Sequence, residues 1–168
     1  MKVNFCGDVY ETSLQPVKII VMGVGSCCHF ADSLAIVLVE ECIKTMPAAL
    51  EGKVVFYNTG ETPESFTSRV KKEKPSQIFI VDTANFGGAP FSFRLIAPDK
   101  VAGITFSGHN LPLTMLVKYL SAETGADIFI VGVQAPPVPD EPMIISEMKA
   151  RTPMFMDFLE NFFDRSNA

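Results

Sequence analysis

Three side chains in this sequence have the chemistry to share one metal ion. Asp32, Asp82 and His109 supply two carboxylates and an imidazole, donors that nickel, zinc, iron or manganese accepts while positions stay open for ligands from elsewhere. Each also has a local explanation: helix N-terminal electrostatics for Asp32, a strand-end turn for Asp82, and capping or a buried hydrogen bond for His109. Two further clusters sit at one turn. Ser26 or Cys27, with His109 as base and Asp82 as orienter, would make an amide or ester hydrolase, although Ser26 lacks the GxSxG elbow. Cys27-Cys28-His29 offers soft to borderline ligands for an accessory metal, against which stands the usual fate of cysteine, a buried thiol. The preceding Gly23-Val24-Gly25 does not complete a dinucleotide fingerprint, because Cys28 stands where GxGxxG requires its third glycine.

Composition limits what such residues can serve. The 168 residues carry 14 Lys plus Arg against 19 Asp plus Glu, a net charge of -5, and 48% are hydrophobic. That suits one core-bearing domain and excludes a disordered chain or a disulfide-held miniprotein. No Lys/Arg run exceeds Lys71-Lys72, so nucleic acid is not an expected partner. The most apolar stretches, Ile19 to Val24, Leu34 to Val39 and Ile128 to Val133, fall far short of the roughly 20 residues that span a bilayer. Met1 to Pro16 has no apolar signal core, and the expected location is the cytoplasm, where Cys6, Cys27, Cys28 and Cys42 would remain thiols.

The elements that must position these groups alternate. Val17 to Met22 is a buried strand ending in the glycine turn, and Ser33 to Met46 is a buried helix opened by Asp32 and stopped by Pro47. Lys53 to Tyr57 is a second strand. Thr62-Pro63-Glu64 has the form of an N-cap, first-position proline and first-turn acid, opening a helix to about Lys72. Gln77 to Val81 is a third strand ending at Asp82, and Phe91 to Ile96 a fourth at the sheet edge after the Phe86-to-Pro90 turn. Asn110 to Glu123 forms a helix stopped by Gly125, Asp127 to Val133 a fifth strand, and Ile144 to Phe163 a terminal helix kinked or divided by Pro153. This is a single three-layer α/β/α domain, a mostly parallel five-stranded sheet with helices on both faces, over 17–164, with 1–16 as an N-terminal extension. Ligands of such sheets gather outside the carboxyl ends of the strands, where Asp32, Asp82 and His109 all arrive.

Read together, these segments resemble the hydrogenase maturation endopeptidases, which trim the C-terminal extension of nickel-iron hydrogenase large subunits. The carriers are Ile19 to Gly25 with Asp32 seven residues on, Gly60-Glu61-Thr62-Pro63-Glu64-Ser65, Ile80-Val81-Asp82 with Phe86-Gly87-Gly88, Ser107-Gly108-His109-Asn110-Leu111-Pro112-Leu113, and Val131-Gly132-Val133-Gln134. The histidine segment is most similar to the branch serving energy-converting and formate-linked hydrogenases.

The resemblance implies an endopeptidase that acts on a large-subunit precursor after metal insertion. Its metal-contacting and catalytic residues would be Asp32, Asp82 and His109, with Thr62 and Glu64 bordering the substrate groove. The nickel would come with the substrate, another divalent metal being able to stand in its place. The sequence departs from the family pattern between Ser26 and Ala35, where Ala31 replaces an acid and Phe30, Ser33 and Ala35 replace glycines. A non-cleaving, metal-checking homologue therefore stands beside the peptidase as an alternative, as does the Cys27/His109 hydrolase.

Overall fold

Short apolar runs punctuated by glycine and proline build the central sheet. The computed structural model describes residues 18–97 and 113–167, together with the short strands at 2–3, 9–10 and 105–106. β1 (Lys2–Val3) and β2 (Val9–Tyr10) pair antiparallel with each other. The sheet proper takes β3 (Ile19–Val24), β4 (Val54–Gly60), β5 (Gln77–Asn85), β6 (Phe93–Ile96), β7 (Thr105–Phe106) and β8 (Asp127–Gln134). Its order is β4-β3-β5-β8-β6, with β7 added antiparallel at the end of β5. β4, β3, β5 and β8 run parallel, and β6 closes the edge antiparallel to β8. This is the expected mostly parallel five-stranded α/β sheet, with one short strand more.

Alternation along each strand divides the core in two. Ile19, Val21, Phe79, Val81, Val131 and Val133 face α1 (Leu34–Lys44) and α4 (Glu141–Asn167). Ile20, Met22, Ile78, Ile80 and Ile130 face α2 (Thr67–Glu73) and α3 (Leu113–Thr124). In the α4 layer the buried Phe79 ring stacks on Phe129 at 5.0 Å and meets the edges of Phe158 and Phe162 at 5.8 and 5.0 Å. Each such pair adds about 0.5–1.5 kcal/mol beyond its buried area.

Strand order creates the functional location. From β3 the chain crosses through α1 to β4 on one side, then returns through α2 to β5 on the other side of β3. The two crossovers part between β3 and β5, and their diverging connections leave a crevice at the carboxyl ends of those strands.

Four local expectations need correction. β5 continues to Asn85 rather than ending at Asp82, because Ala84 and Asn85 acquire β7 as a partner. The Thr62 side chain caps nothing: with ψ 61° its hydroxyl forms no cap bond, and Pro63–Phe66 is a 3-10 turn before α2 begins at Thr67. The edge strand starts at Phe93, since Phe91 takes φ 62° and leaves extended geometry. Of the two outcomes expected at Pro153, a kink or a division, the division does not occur, since the last helix is continuous over Glu141–Asn167. Proline removes one intrahelical bond there, and the preceding Thr152 hydroxyl donates to the Met148 carbonyl at 2.9 Å. Gly125, by contrast, stops α3 as expected, with φ 67° and its N–H on the Ser121 carbonyl.

Candidate active site at the sheet switch point

The glycine turn folds the chain back onto the end of β3. Gly25 has φ 152°, and a Cβ there would lie 2.1 Å from the Asp32 carbonyl oxygen. Only glycine permits this approach. The Gly25 N–H donates to the Gly60 carbonyl and the Ser26 N–H to the Asp32 carbonyl, each at 3.1 Å. The Asp32 N–H in turn donates to the His29 carbonyl at 2.8 Å. Asp32 thus ends a 3-10 turn, Phe30–Asp32, that rests against β5 as well as α1. Its carboxyl is half-buried. Ser33 does not cap α1 through its side chain; its hydroxyl bonds back to the Phe30 carbonyl at 3.0 Å.

Asp82 lies one strand away, paired in register with Val24 on β3 and with Gly132 on β8. It is 0% exposed, which the expectation of a strand-end turn residue did not include. By alternation it shares the face of Ile78 and Ile80, the layer of α2 and α3. Gly132 beside it lets its neighbours pack close on that face, for a Cβ there would meet Ile96 at 2.8 Å and Phe86 at 3.3 Å. Moving an ion-sized carboxylate out of water costs several kcal/mol before its partners compensate, so this position has no stability reason to carry an acid rather than an aliphatic residue. His109, the third expected member, lies outside the described residues, in the segment that leads into α3.

A groove of about 930 Å³ opens beside this crevice, between the ends of β3 and β4 and the sides of α1 and α4. Thr62 lines it together with Cys27, Cys28, Glu61, Phe30 and Phe66. Glu64 is half-buried, and its Oε2 is enclosed with no hydrogen-bond partner among the described residues. Ser26 is 3% exposed and its Oγ is taken up by the turn, accepting the Cys28 N–H at 3.2 Å and lying 3.3 Å from His29 Nδ1. Of the described thiols only Cys42 follows the buried expectation, and burial, with Glu41 adding charge, pushes it up to about 12. Cys27 and Cys28 are exposed. The Cys28 thiol is held above its ordinary value by its hydrogen bond with Cys27, the Cys27 charge, slight burial and Glu61. Among the described residues, no three His, Cys, Asp or Glu side chains group closely enough to hold a metal, so the Cys27-Cys28-His29 triad is not assembled as one.

No spacing in the sequence assigns a task to Gln134. Its Oε1 accepts the N–H groups of Phe86 and Gly88 at 2.9 and 3.1 Å, while its Nε2 donates to Asn85 Oδ1 and the Ala135 carbonyl. One buried amide at the end of β8 therefore fastens the Phe86-Gly87-Gly88 turn over the rim. Two turn glycines followed far downstream by a strand-ending amide were its only trace in the sequence.

This arrangement matches known proteins. The profile of the hydrogenase maturation protease family fits residues 36–161, beginning just past the divergent turn. A Methanocaldococcus jannaschii protein that bears the hydrogenase maturation protease name provisionally is 31% identical over 136 residues, covering 79% of this chain and 80% of its own. The hydrogenase 3 maturation protease of Escherichia coli K12 is 28% identical over 147 residues, 87% of this chain and 86% of that one. The crystal structure of a nickel-iron hydrogenase maturation protease from Thermococcus kodakarensis KOD1 superposes with a TM-score of 0.70 at 26% identity, covering 86% of this chain and 93% of that one. With three quarters of its length inside the family profile and the same doubly wound sheet beneath it, the chain belongs to the hydrogenase maturation proteases and is a peptidase.

Proposed function

We propose that this peptidase works in the cytoplasm, removing the C-terminal extension of a nickel-iron hydrogenase large-subunit precursor once nickel has been inserted. Among the described residues no helix is long and apolar enough to cross a membrane. In this reading Asp32, Asp82 and His109 contact the nickel that the precursor carries, and Thr62 and Glu64 border the path of its tail. The observation that carries the reading is Asp82, a carboxylate sealed into the sheet at its switch point, in a chain whose family processes hydrogenases.

Two carboxylates and one imidazole form an incomplete shell of oxygen and nitrogen donors. Such a shell holds nickel weakly by itself and binds it well only when the strong ligands arrive with the substrate. The metal then acts as a checkpoint, because an unloaded precursor lacks the feature that docks it. Hydrolysis adds water to the scissile carbonyl, and the proton that the water loses ends on the amine of the departing tail. A carboxylate of the pair would take that proton first, or the metal that the substrate carries would polarise the carbonyl.

The test is cleavage of purified precursor, with and without nickel, by the wild type, Asp82→Asn, His109→Ala and Cys27→Ser. Cleavage should require loaded precursor, fall by about two orders of magnitude or more in the first two variants while both stay folded, and survive in Cys27→Ser. Nickel-independent cleavage that vanishes in Cys27→Ser would overturn the reading in favour of the thiol hydrolase. Failure of the wild type to cut any loaded precursor would favour the non-cleaving homologue.

A further inference from the structure

The divergent turn carries a feature that the peptidase chemistry leaves unused. Cys27 and Cys28 are adjacent in sequence, both exposed, both free thiols, and both on the wall of the groove. In an extended chain neighbouring side chains point to opposite sides. Here the turn defeats that rule. Ser26 Oγ accepts the Cys28 N–H, the Asp32 N–H reaches back to the His29 carbonyl, and the Ser26 N–H closes the loop on the Asp32 carbonyl. The outcome is two sulfur atoms 3.9 Å apart on one side of a fastened loop.

We propose that Cys27 and Cys28 form a two-thiolate chelate for a thiophilic divalent cation of the zinc and cadmium kind, separate from the carboxylate crevice. Metal–sulfur bonds of about 2.3 Å at a tetrahedral angle place two ligand sulfurs about 3.8 Å apart, so the observed spacing already suits one shared ion. A disulfide would need the same atoms about 2.05 Å apart, a far larger movement. Binding exchanges two S–H bonds for two sulfur–metal bonds and releases two protons, with no change of oxidation state. Two positions of the tetrahedron remain for water or for donors entering the groove. His29 is not required as a ligand, since its ring lies against Ser26 Oγ at 3.3 Å. The soft sulfur pair and the harder oxygen and nitrogen set at Asp32, Asp82 and His109 select different ions.

Cadmium chloride titrated into the reduced full-length protein, followed by the ultraviolet sulfur-to-cadmium charge-transfer band, tests this directly. The wild type should saturate at one equivalent with the intensity of two thiolates. Cys27→Ser and Cys28→Ser should each weaken binding at least about tenfold, since even loss of an outer partner of a metal ligand costs that much. The double variant should lose the band with its melting temperature unchanged, and His29→Ala should keep it. Phenylarsine oxide, which needs two neighbouring thiols, should bind the wild type and neither single variant. A band that persists in the double variant, or single variants that bind like the wild type, would overturn the proposal. None of these readouts uses precursor cleavage, so the chelate and the peptidase reading stand or fall separately.

Discussion

Two turns border the carboxyl end of the sheet, and they are held in opposite ways. The turn after β3, residues 25–33, is stitched by its own members: Ser26 to Asp32 and Cys28, Asp32 to His29, Ser33 to Phe30. Beyond them it relies on the Gly25 bond to Gly60. The turn after β5, residues 86–88, depends chiefly on a side chain nearly fifty positions away, Gln134, to which longer bonds from the Gly87 N–H to Asn85 Oδ1 and from Arg94 to the Phe86 carbonyl are added. A locally stitched turn can change its residues while keeping its path, provided that the pivot glycine and the closing bonds persist. A turn hung from a distant amide keeps its shape only while that amide stays. This is a physical reason why Phe30, Ala31, Ser33 and Ala35 can stand where the resemblance leads one to expect glycines and an acid while the turn still closes on Asp32.

The largest expected effect falls on the pivot of the first turn. Gly25→Ala forces a Cβ against the Asp32 carbonyl at a φ that side chains avoid, and should cost about 3 kcal/mol or more, read as a lowered denaturation midpoint. A neutral outcome would mean that the turn is not pinned there. Next comes the contrast between the two fasteners. Gln134→Leu removes two accepted and two donated hydrogen bonds and should cost about 2–3 kcal/mol, roughly 5–10 °C of melting temperature. Ser26→Ala should cost about 1 kcal/mol or less, because the backbone bonds of its turn remain. Equal losses in the two variants would erase the distinction.

The smallest effect lies at the opposite rim and serves as a control for both turns. Lys18, just before β3, pairs with Glu73 at the end of α2, and this hydrogen bond, together with the Lys18 charge and a bond from Tyr57, holds the Glu73 carboxyl below its ordinary value. A depressed carboxyl adds stability that is fully present above its unfolded pKa, near about 4.3, and is lost as pH falls through the lower folded value. Melting temperatures of Glu73→Gln should therefore decline less steeply than those of the wild type between about pH 5 and 3. Parallel slopes would show that the pair contributes nothing.

Most of the fold was legible because its signals are local. Ile19 to Val24, Gln77 to Val81 and Asp127 to Val133 are short apolar runs bounded by turn residues, which suits buried strands, and Gly125 marks a helix end because it takes a left-handed φ that side chains avoid. What was not legible depends on contacts between distant segments. β5 outruns Asp82 because two residues of β7, too few to show any period, pair with its end. Thr62 has the identity of an N-cap, yet its backbone angle keeps the hydroxyl from the helix. The candidate residues were readable only as types carried to one rim, since strand ends meet at a switch point. The sealing of Asp82 and the reach of Gln134 were not, because both are set by the order in which strands are laid side by side.

That order also bears on when the protein can mature. β3 and α1 are made early, yet the face they present is covered by α4, whose Phe155, Phe158 and Phe162 come from the far end of the described chain. Until that helix docks, α1 packs on the strands by itself, and the parts of Phe79 and of α1 that meet Phe155, Phe158 and Phe162 stay uncovered. Contacts between segments so far apart in sequence form late and slowly. A nascent chain of this kind waits with an oily surface exposed until α4 covers it.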